Sequence, residues 1–203
     1  IGIGRSINFA LQTMGYPPRD DQELPRYVGP PLDESFVAIT GEADADAIDR
    51  FVLLYRQRYS EVGYSENVIY PGIPEALSTL HANSVELGLC TYKRVDYAEM
   101  ILDLFDIRRY FSFINGGRIG QKKWEQIATL KKEGLVTSST IMVGDRAADM
   151  IGAQRNGIRS AAVLWGYGDR EELMNEEPDY LLTNPEELVG LGTGESSQGA
   201  RGR

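Results

Sequence analysis

Thr140-Ile-Met-Val-Gly-Asp-Arg-Ala-Ala-Asp-Met-Ile-Gly-Ala-Gln-Arg-Asn-Gly-Ile158 joins an apolar run to a helical repeat through Gly144-Asp145. Thr140 to Val143, bounded by Gly144, predicts a short buried strand. Asp145 takes the N-cap position of the following helix. That helix turns Met150, Ile151 and Ala153 inward and stops at Asn156-Gly157. A strand entering a helix this way is half of an α/β crossover, and in such sheets sites lie beyond the carboxyl ends of the strands. Asp145 falls at that edge, with Asp149 four residues on along the same helical face. Two carboxylates so placed repel each other unless a cation lies near them. The alternative is an N-cap plus a first-turn acid that suits the helix dipole.

Outward from this stretch, helices and strands alternate. Pro71-Gly72 opens a helix through His81, Val85 to Thr91 is a strand, and Val95 to Phe105 is a helix. Tyr110 to Ile114 is a strand and Gln121 to Glu133 a helix. Ser160 to Trp165 and Tyr180 to Leu182 are further strands. The alternation predicts a parallel sheet with helices on both faces, an α/β core over residues 69–191. Residues 192–203 are Gly/Ser-rich and predict a disordered tail.

Residues 1–68 read differently, as helices without a convincing strand. Ile3, Ile7, Ala10, Leu11 and Met14 fall at helical spacing, and Gly15 ends that segment. Asp20 to Tyr27 predicts a short polar helix, Leu32 to Ile39 another, and Asp44 to Ser60 the longest. The aromatic stripe of that last helix, Tyr55 to Tyr59, reads as core. Glu61 to Val68, polar and glycine-containing, reads as a hinge.

Composition removes several classes of function. Hydrophobic residues at 42% and charged residues at 25% describe an ordinary globular protein. The net charge of -9 argues against a nucleic-acid or membrane-surface partner; an anionic substrate would need local cations or a metal. Cys90 is the single cysteine, so no internal disulfide is available and a reducing, cytoplasmic setting is expected. No apolar run reaches membrane-span length, and no signal peptide is visible. One His and one Cys offer no zinc spacing and poor material for Ser–His–Asp or Cys–His catalysis.

Two further candidates lie at strand ends. Thr91, followed by Tyr92 and Lys93, combines a hydroxyl with loop N–H groups that could hold a phosphoryl oxygen; the alternative is a local turn or cap. Lys123 opens a helix, where its charge opposes the dipole, so a negative neighbour would explain it; the alternative is a solvated face shared with Lys122, Lys131 and Lys132. The cluster Gly116-Gly-Arg-Ile-Gly120 matches neither phosphate-loop spacing.

Thr91, Lys123, then Gly144-Asp145 with Asp149, in this order, resemble the haloacid-dehalogenase-like hydrolases. The phosphoglycolate-phosphatase and 5'-nucleotidase-like branch is suggested by Tyr27-Val-Gly-Pro-Pro-Leu32, Tyr70-Pro-Gly72, Thr91-Tyr-Lys93 and Val163-Leu-Trp-Gly-Tyr-Gly168. The resemblance implies a Rossmann-like core with a helical cap over residues 1–68. It implies hydrolysis of a small phosphorylated metabolite through an aspartyl-phosphate with Mg²⁺. Thr91, Tyr92 and Lys93 would bind the phosphoryl group with Arg146. Lys123 would neutralise charge, Asp145 would ligate the metal and Asp149 would support it. A monomer or homodimer is expected.

The family's Asp-x-Asp strand, which carries nucleophile and general acid, should immediately precede the first cap helix, yet Ile1 already lies in that helix. The expectation is therefore a missing central strand, a sheet gap flanked by the strands ending at Thr91 and Val143, and an inactive chain. Arg146-Ala-Ala-Asp149 also lacks a histidine common in relatives. A non-catalytic binding protein, a phosphomutase or a dehalogenase on the same scaffold remain alternatives. The Asp145–Asp149 pair favours metal use over metal-free dehalogenation.

Overall fold

Helix α1 (Gly2–Thr13) begins the chain in the computed structural model, which describes residues 1–118 and 120–193. Its buried face carries Ile7, Ala10 and Leu11 at helical spacing. Gly2 and Gly4 are buried too, because the chain passes close by. A Cβ on Gly2 would meet the Gly63 carbonyl oxygen at 1.9 Å. Helix α2 (Leu32–Thr40) ends at Gly41, whose φ of 74° is a left-handed cap that glycine adopts without steric cost. Helix α3 (Ala45–Glu61) starts where the Asp44 carboxylate accepts the Ala47 N–H at 2.9 Å.

These helices share a core of Phe36, Phe51, Tyr55 and Tyr59 with Ile7 and Leu11. The Tyr55 and Tyr59 rings stack at 5.4 Å. One expectation for this region changes. Instead of a polar helix over Asp20 to Tyr27 there is a four-residue 3-10 turn, Leu24–Tyr27, with Pro25 at its start; a proline so placed suits a first turn and not a helix interior. The segment read as a hinge holds a second 3-10 turn, Gly63–Glu66, pinned where Arg5 and Arg58 donate to Glu66.

The chain divides into two compact units. The first is Ile1–Val68 together with Asp96–Leu104; the second is Ile69–Val95 with Phe105–Arg203. Helix α5 (Val95–Leu104) therefore lies almost wholly in the first unit. Its buried Tyr97 meets Tyr59 edge-on at 5.1 Å and donates to the Arg56 carbonyl.

In the second unit, helix α4 (Ile73–Ala82) starts after Gly72 and leads to strand β1 (Leu87–Cys90). Then come β2 (Phe111–Asn115), α6 (Lys123–Lys132), β3 (Ile141–Gly144) and α7 (Ala147–Asn156). Strand β4 (Arg159–Val163), α8 (Arg170–Met174), β5 (Tyr180–Leu182) and α9 (Leu188–Thr193) complete the order. Helix α7 ends at Gly157 in the left-handed conformation, as Asn156-Gly157 predicts. Gly192 and Thr193 close α9 rather than opening a tail; the rest of the expected tail, residues 194–203, lies outside the described residues.

Every strand pairing among the described residues is parallel, and none of the strands falls in residues 1–60. The pairing runs β1–β2 in one sheet and β3–β4–β5 in another. The division falls between the strands that lead to Thr91 and Asp145. Strand β4 is buried from Ser160 to Val163, whereas β1 and β3 are half-buried and Val143 is 39% exposed. One apolar cluster spans both sheets: Ile127 and Leu130 of α6 and Ala153 of α7 pack with Cys90, Phe113 and Met142.

Candidate active site

Lys123 occupies the first turn of α6 and is 5% exposed. A cation buried beside the positive end of its own helix needs compensation. Its Nζ donates to the Cys90 carbonyl at 2.9 Å and lies 3.3 Å from Asp149 Oδ1. Gly152 makes room for the stem, since a Cβ there would meet Lys123 Cγ at 2.9 Å. The solvated-face alternative thus fits Lys122, which is exposed, and not Lys123.

At the end of β1, Thr91 Oγ1 accepts the Lys93 N–H at 3.1 Å, the local turn foreseen as an alternative. That bond uses an acceptor lone pair and leaves the hydroxyl proton able to serve a ligand. Lys93 contributes main chain here, its carbonyl accepting the Gly117 N–H at 3.0 Å. Gln126, fully buried one turn beyond Lys123, donates through Nε2 to the Thr91 carbonyl and to Asn115 Oδ1, both at 3.0 Å. Its Oε1 has no partner among the described residues. Sequence reading missed Gln126; its signal was a polar residue on the inward face of α6, three after Lys123.

Asp145 is not the N-cap. Arg146 is, with an extended backbone, and Asp149 accepts the Arg146 N–H at 3.3 Å. Asp145 turns away because the Gly166-Tyr167-Gly168 loop claims it. Its Oδ2 accepts the Tyr167 N–H at 2.8 Å and its carbonyl the Gly168 N–H at 3.0 Å. Glycine at 166 permits this approach: a Cβ there would lie 2.2 Å from Asp145 Cβ. Gly144 does the same for Asp149, whose Oδ2 would meet a Cβ at 2.3 Å.

Burial pushes the Asp149 carboxyl up; Lys123 pulls it down, and the Asp145 charge adds to the rise. Arg146, expected at the substrate, directs its Nε to Glu172 Oε1 at 2.9 Å, and the same oxygen accepts the Ala147 N–H at 2.8 Å. Glu172 of α8 thereby caps α7 from outside, a contact no local pattern encodes.

The site thus brings together Lys123, Asp149, Tyr92 and the end of β1, with Asp145 within Coulombic reach of Asp149. Among the described residues no group of three or more His, Cys, Asp or Glu converges on a metal position. Mg²⁺ commonly uses one or two protein carboxylates, completing its shell with water and phosphate. The all-oxygen pair Asp145 and Asp149 fits that demand. Asp149 already serves Lys123 and Arg146, and Asp145 Oδ2 the Tyr167 N–H.

A buried lysine and two carboxylates thus stand just beyond the ends of parallel strands, where α/β proteins place their sites. The model of the haloacid dehalogenase-like hydrolases matches residues 2–163, and the chain belongs to that family. Over 187 residues it is 33% identical to a 5'-nucleotidase of Pseudomonas aeruginosa, covering 90% of this chain and 84% of that protein. Over 188 residues it is 34% identical to the tyrosine-protein kinase PtkA of Mycobacterium tuberculosis, covering 90% of this chain and 63% of that protein. Among solved structures, a predicted phosphatase from Clostridium acetobutylicum superposes with a TM-score of 0.85 at 31% identity. That match covers 93% of this chain and 88% of the other.

Proposed function

We propose that this protein hydrolyses small-molecule phosphate monoesters with Mg²⁺ through an aspartyl-phosphate. The observation that carries this reading is the buried Lys123 ammonium held between the Cys90 carbonyl and Asp149. Phosphoryl transfer is limited by positioning and charge neutralisation, and a preorganised cation at a strand end supplies both. Thr91 Oγ–H and the Tyr92 N–H bind the phosphoryl oxygens, and Lys123 neutralises the charge that collects on them. Asp145, supported by Asp149, holds the Mg²⁺, which when bound adds charge neutralisation on the same oxygens.

None of these groups is a nucleophile placed to attack in line. The nucleophilic aspartate, and the acid that protonates the leaving oxygen, are proposed to stand on a strand N-terminal to Ile1 that pairs between β1 and β3. Support comes from the two separate sheets and the half-exposed β1 and β3. Nucleoside 5'-monophosphates, suggested by the Pseudomonas relative, and phosphoglycolate are the substrates to test first. The kinase relative favours a second reading, phosphoryl transfer from a nucleotide to an acceptor hydroxyl.

The test compares residues 1–203 with a chain extended through the upstream strand. The extended chain should release phosphate in a Mg²⁺-dependent manner and melt higher, while the shorter one is inactive. EDTA-sensitive turnover by the shorter chain, proportional to enzyme, would place the nucleophile elsewhere. A folded but inactive extended chain would overturn the hydrolase reading in favour of a binding protein, and transfer from ATP would favour the kinase-like one.

A further inference from the structure

The Tyr92 side chain touches Lys123 twice. Its Oη accepts the Lys123 backbone N–H at 2.8 Å, one of the donors that a helix start leaves without an internal partner. Its ring face lies 4.8 Å from Lys123 Nζ, within cation–π range. The lysine is therefore engaged by the same phenol at its backbone and at its charged end, with its stem folded back toward the ring.

Both partners are braced from behind. Gly117 lies so near the Tyr92 main chain that a Cβ would come within 2.6 Å of its carbonyl oxygen, and Gly152 fits against the Lys123 stem. An ammonium has three protons. Cys90 and Asp149 account for two directions, and the ring attracts the charge without demanding an in-line proton.

We propose that Tyr92 is a positioning residue: it fixes the Lys123 ammonium at the end of β1 so that a proton stays directed at a bound phosphoryl oxygen. This rests on the reading of Lys123 given above. The loop tyrosine thereby sets the strength of phosphate binding through its π face.

The experiment titrates inorganic phosphate into the 203-residue chain and into Tyr92→Phe, Tyr92→Leu, Tyr92→Met and Lys123→Met. Lysine-ammonium ¹H–¹⁵N spectra are recorded for each, with Lys123→Met assigning the Lys123 signal. The leucine variant should bind phosphate about tenfold more weakly, the scale of one desolvated cation–π contact, and phenylalanine should restore binding to within about twofold. The Lys123 signal should lose its upfield ring shift in the leucine variant and keep it in the phenylalanine one. The methionine variant fills the space without a π face and should match leucine, which keeps the test open if leucine unfolds the loop. Undiminished binding in both the leucine and methionine variants, while Lys123→Met weakens it, would overturn the role of Tyr92 and leave that of Lys123 standing. Undiminished binding in Lys123→Met would overturn both.

Discussion

Replacing Lys123 by methionine tests the site through stability, without need of a substrate. The change keeps much of the apolar stem but removes the ammonium from Asp149, 3.3 Å away. The carboxylate is buried and would retain the Arg146 N–H at 3.3 Å. Orphaning one member of a buried pair costs about 3 kcal/mol, the lower end of the usual range, because this carboxyl can escape by protonation. For a chain of this size that is roughly a 6–12 °C fall in melting temperature.

The pH dependence has a definite sign. Burial already raises the Asp149 carboxyl, and losing Lys123 removes a group that lowers it. An acid whose folded pKa lies above its unfolded value gains stability as pH falls through the folded pKa. The deficit of Lys123→Met should therefore shrink between pH 7 and about pH 5. In Lys123→Met with Asp149→Asn the orphan charge is gone, and the double variant should be more stable than the summed single losses by about 1–3 kcal/mol. Lys122→Ala, at the exposed neighbour, should stay within about 0.5 kcal/mol of the parent. Calorimetric melting of the set decides. A Lys123→Met variant that melts with the parent, or strict additivity in the cycle, would refute the buried-pair argument.

In a chain extended through the upstream strand, Asp145→Asn should weaken Mg²⁺ binding by titration calorimetry, and Asp149→Asn should weaken it less, because a neutral amide is a poorer ligand for a hard cation; equal affinities in Asp145→Asn and the parent would remove the assignment. Gly166→Ala places a methyl 2.2 Å from Asp145 Cβ. It should cost about 1–3 kcal/mol by overpacking and impair Mg²⁺ binding, so a variant indistinguishable in both would show that the loop gives way freely. In the helical unit, Arg58's hydrogen bonds outweigh the upward push of burial and, with Arg5 adding, hold the Glu66 carboxyl at about 2. A depressed acid contributes stability above its unfolded value that is lost as pH falls through its folded one. Acid melting curves should show a loss on the order of 1 kcal/mol between about pH 5 and 2, after allowance for solvent screening, and the loss should be missing in Glu66→Gln.

The strand and helix of residues 140–158 were legible because apolar spacing and Asn156-Gly157 are local signals, and the same holds for β1, β2, β4 and β5. Lys123 was singled out by its place at a helix start, and its burial separates it from the exposed Lys122. The contacts that complete the site were not legible, because they join residues far apart in the chain. Asp145 looked like an N-cap until the loop after β4 supplied the Tyr167 N–H. Arg146 was read as a substrate ligand, and α8 brings Glu172 to its Nε. Periodicity placed α5 in the core by order alone, whereas Tyr97 packs with the helical unit's tyrosines. In each case the deciding partner lies more than twenty residues away, beyond any window that propensity or spacing can read.

The separate pairing of β1 with β2 and of β3 with β4 and β5 also bears on how the chain behaves among its copies. Four of the five described strands have one pairing partner each, and two of these, Leu87–Cys90 and Ile141–Gly144, carry no charge and no proline. Interior strands of parallel sheets are written this way because nothing outside ever meets them. Left at an edge, they lack the lysines and prolines by which edge strands discourage foreign pairing, and the register shift at Leu87/Gly88 lies on the side of β1 that pairs with β2. The net charge of -9 keeps molecules apart at long range but is screened within a few ångströms as salt rises. The strands most open to foreign pairing are thus the same two that lead to Thr91 and Asp145.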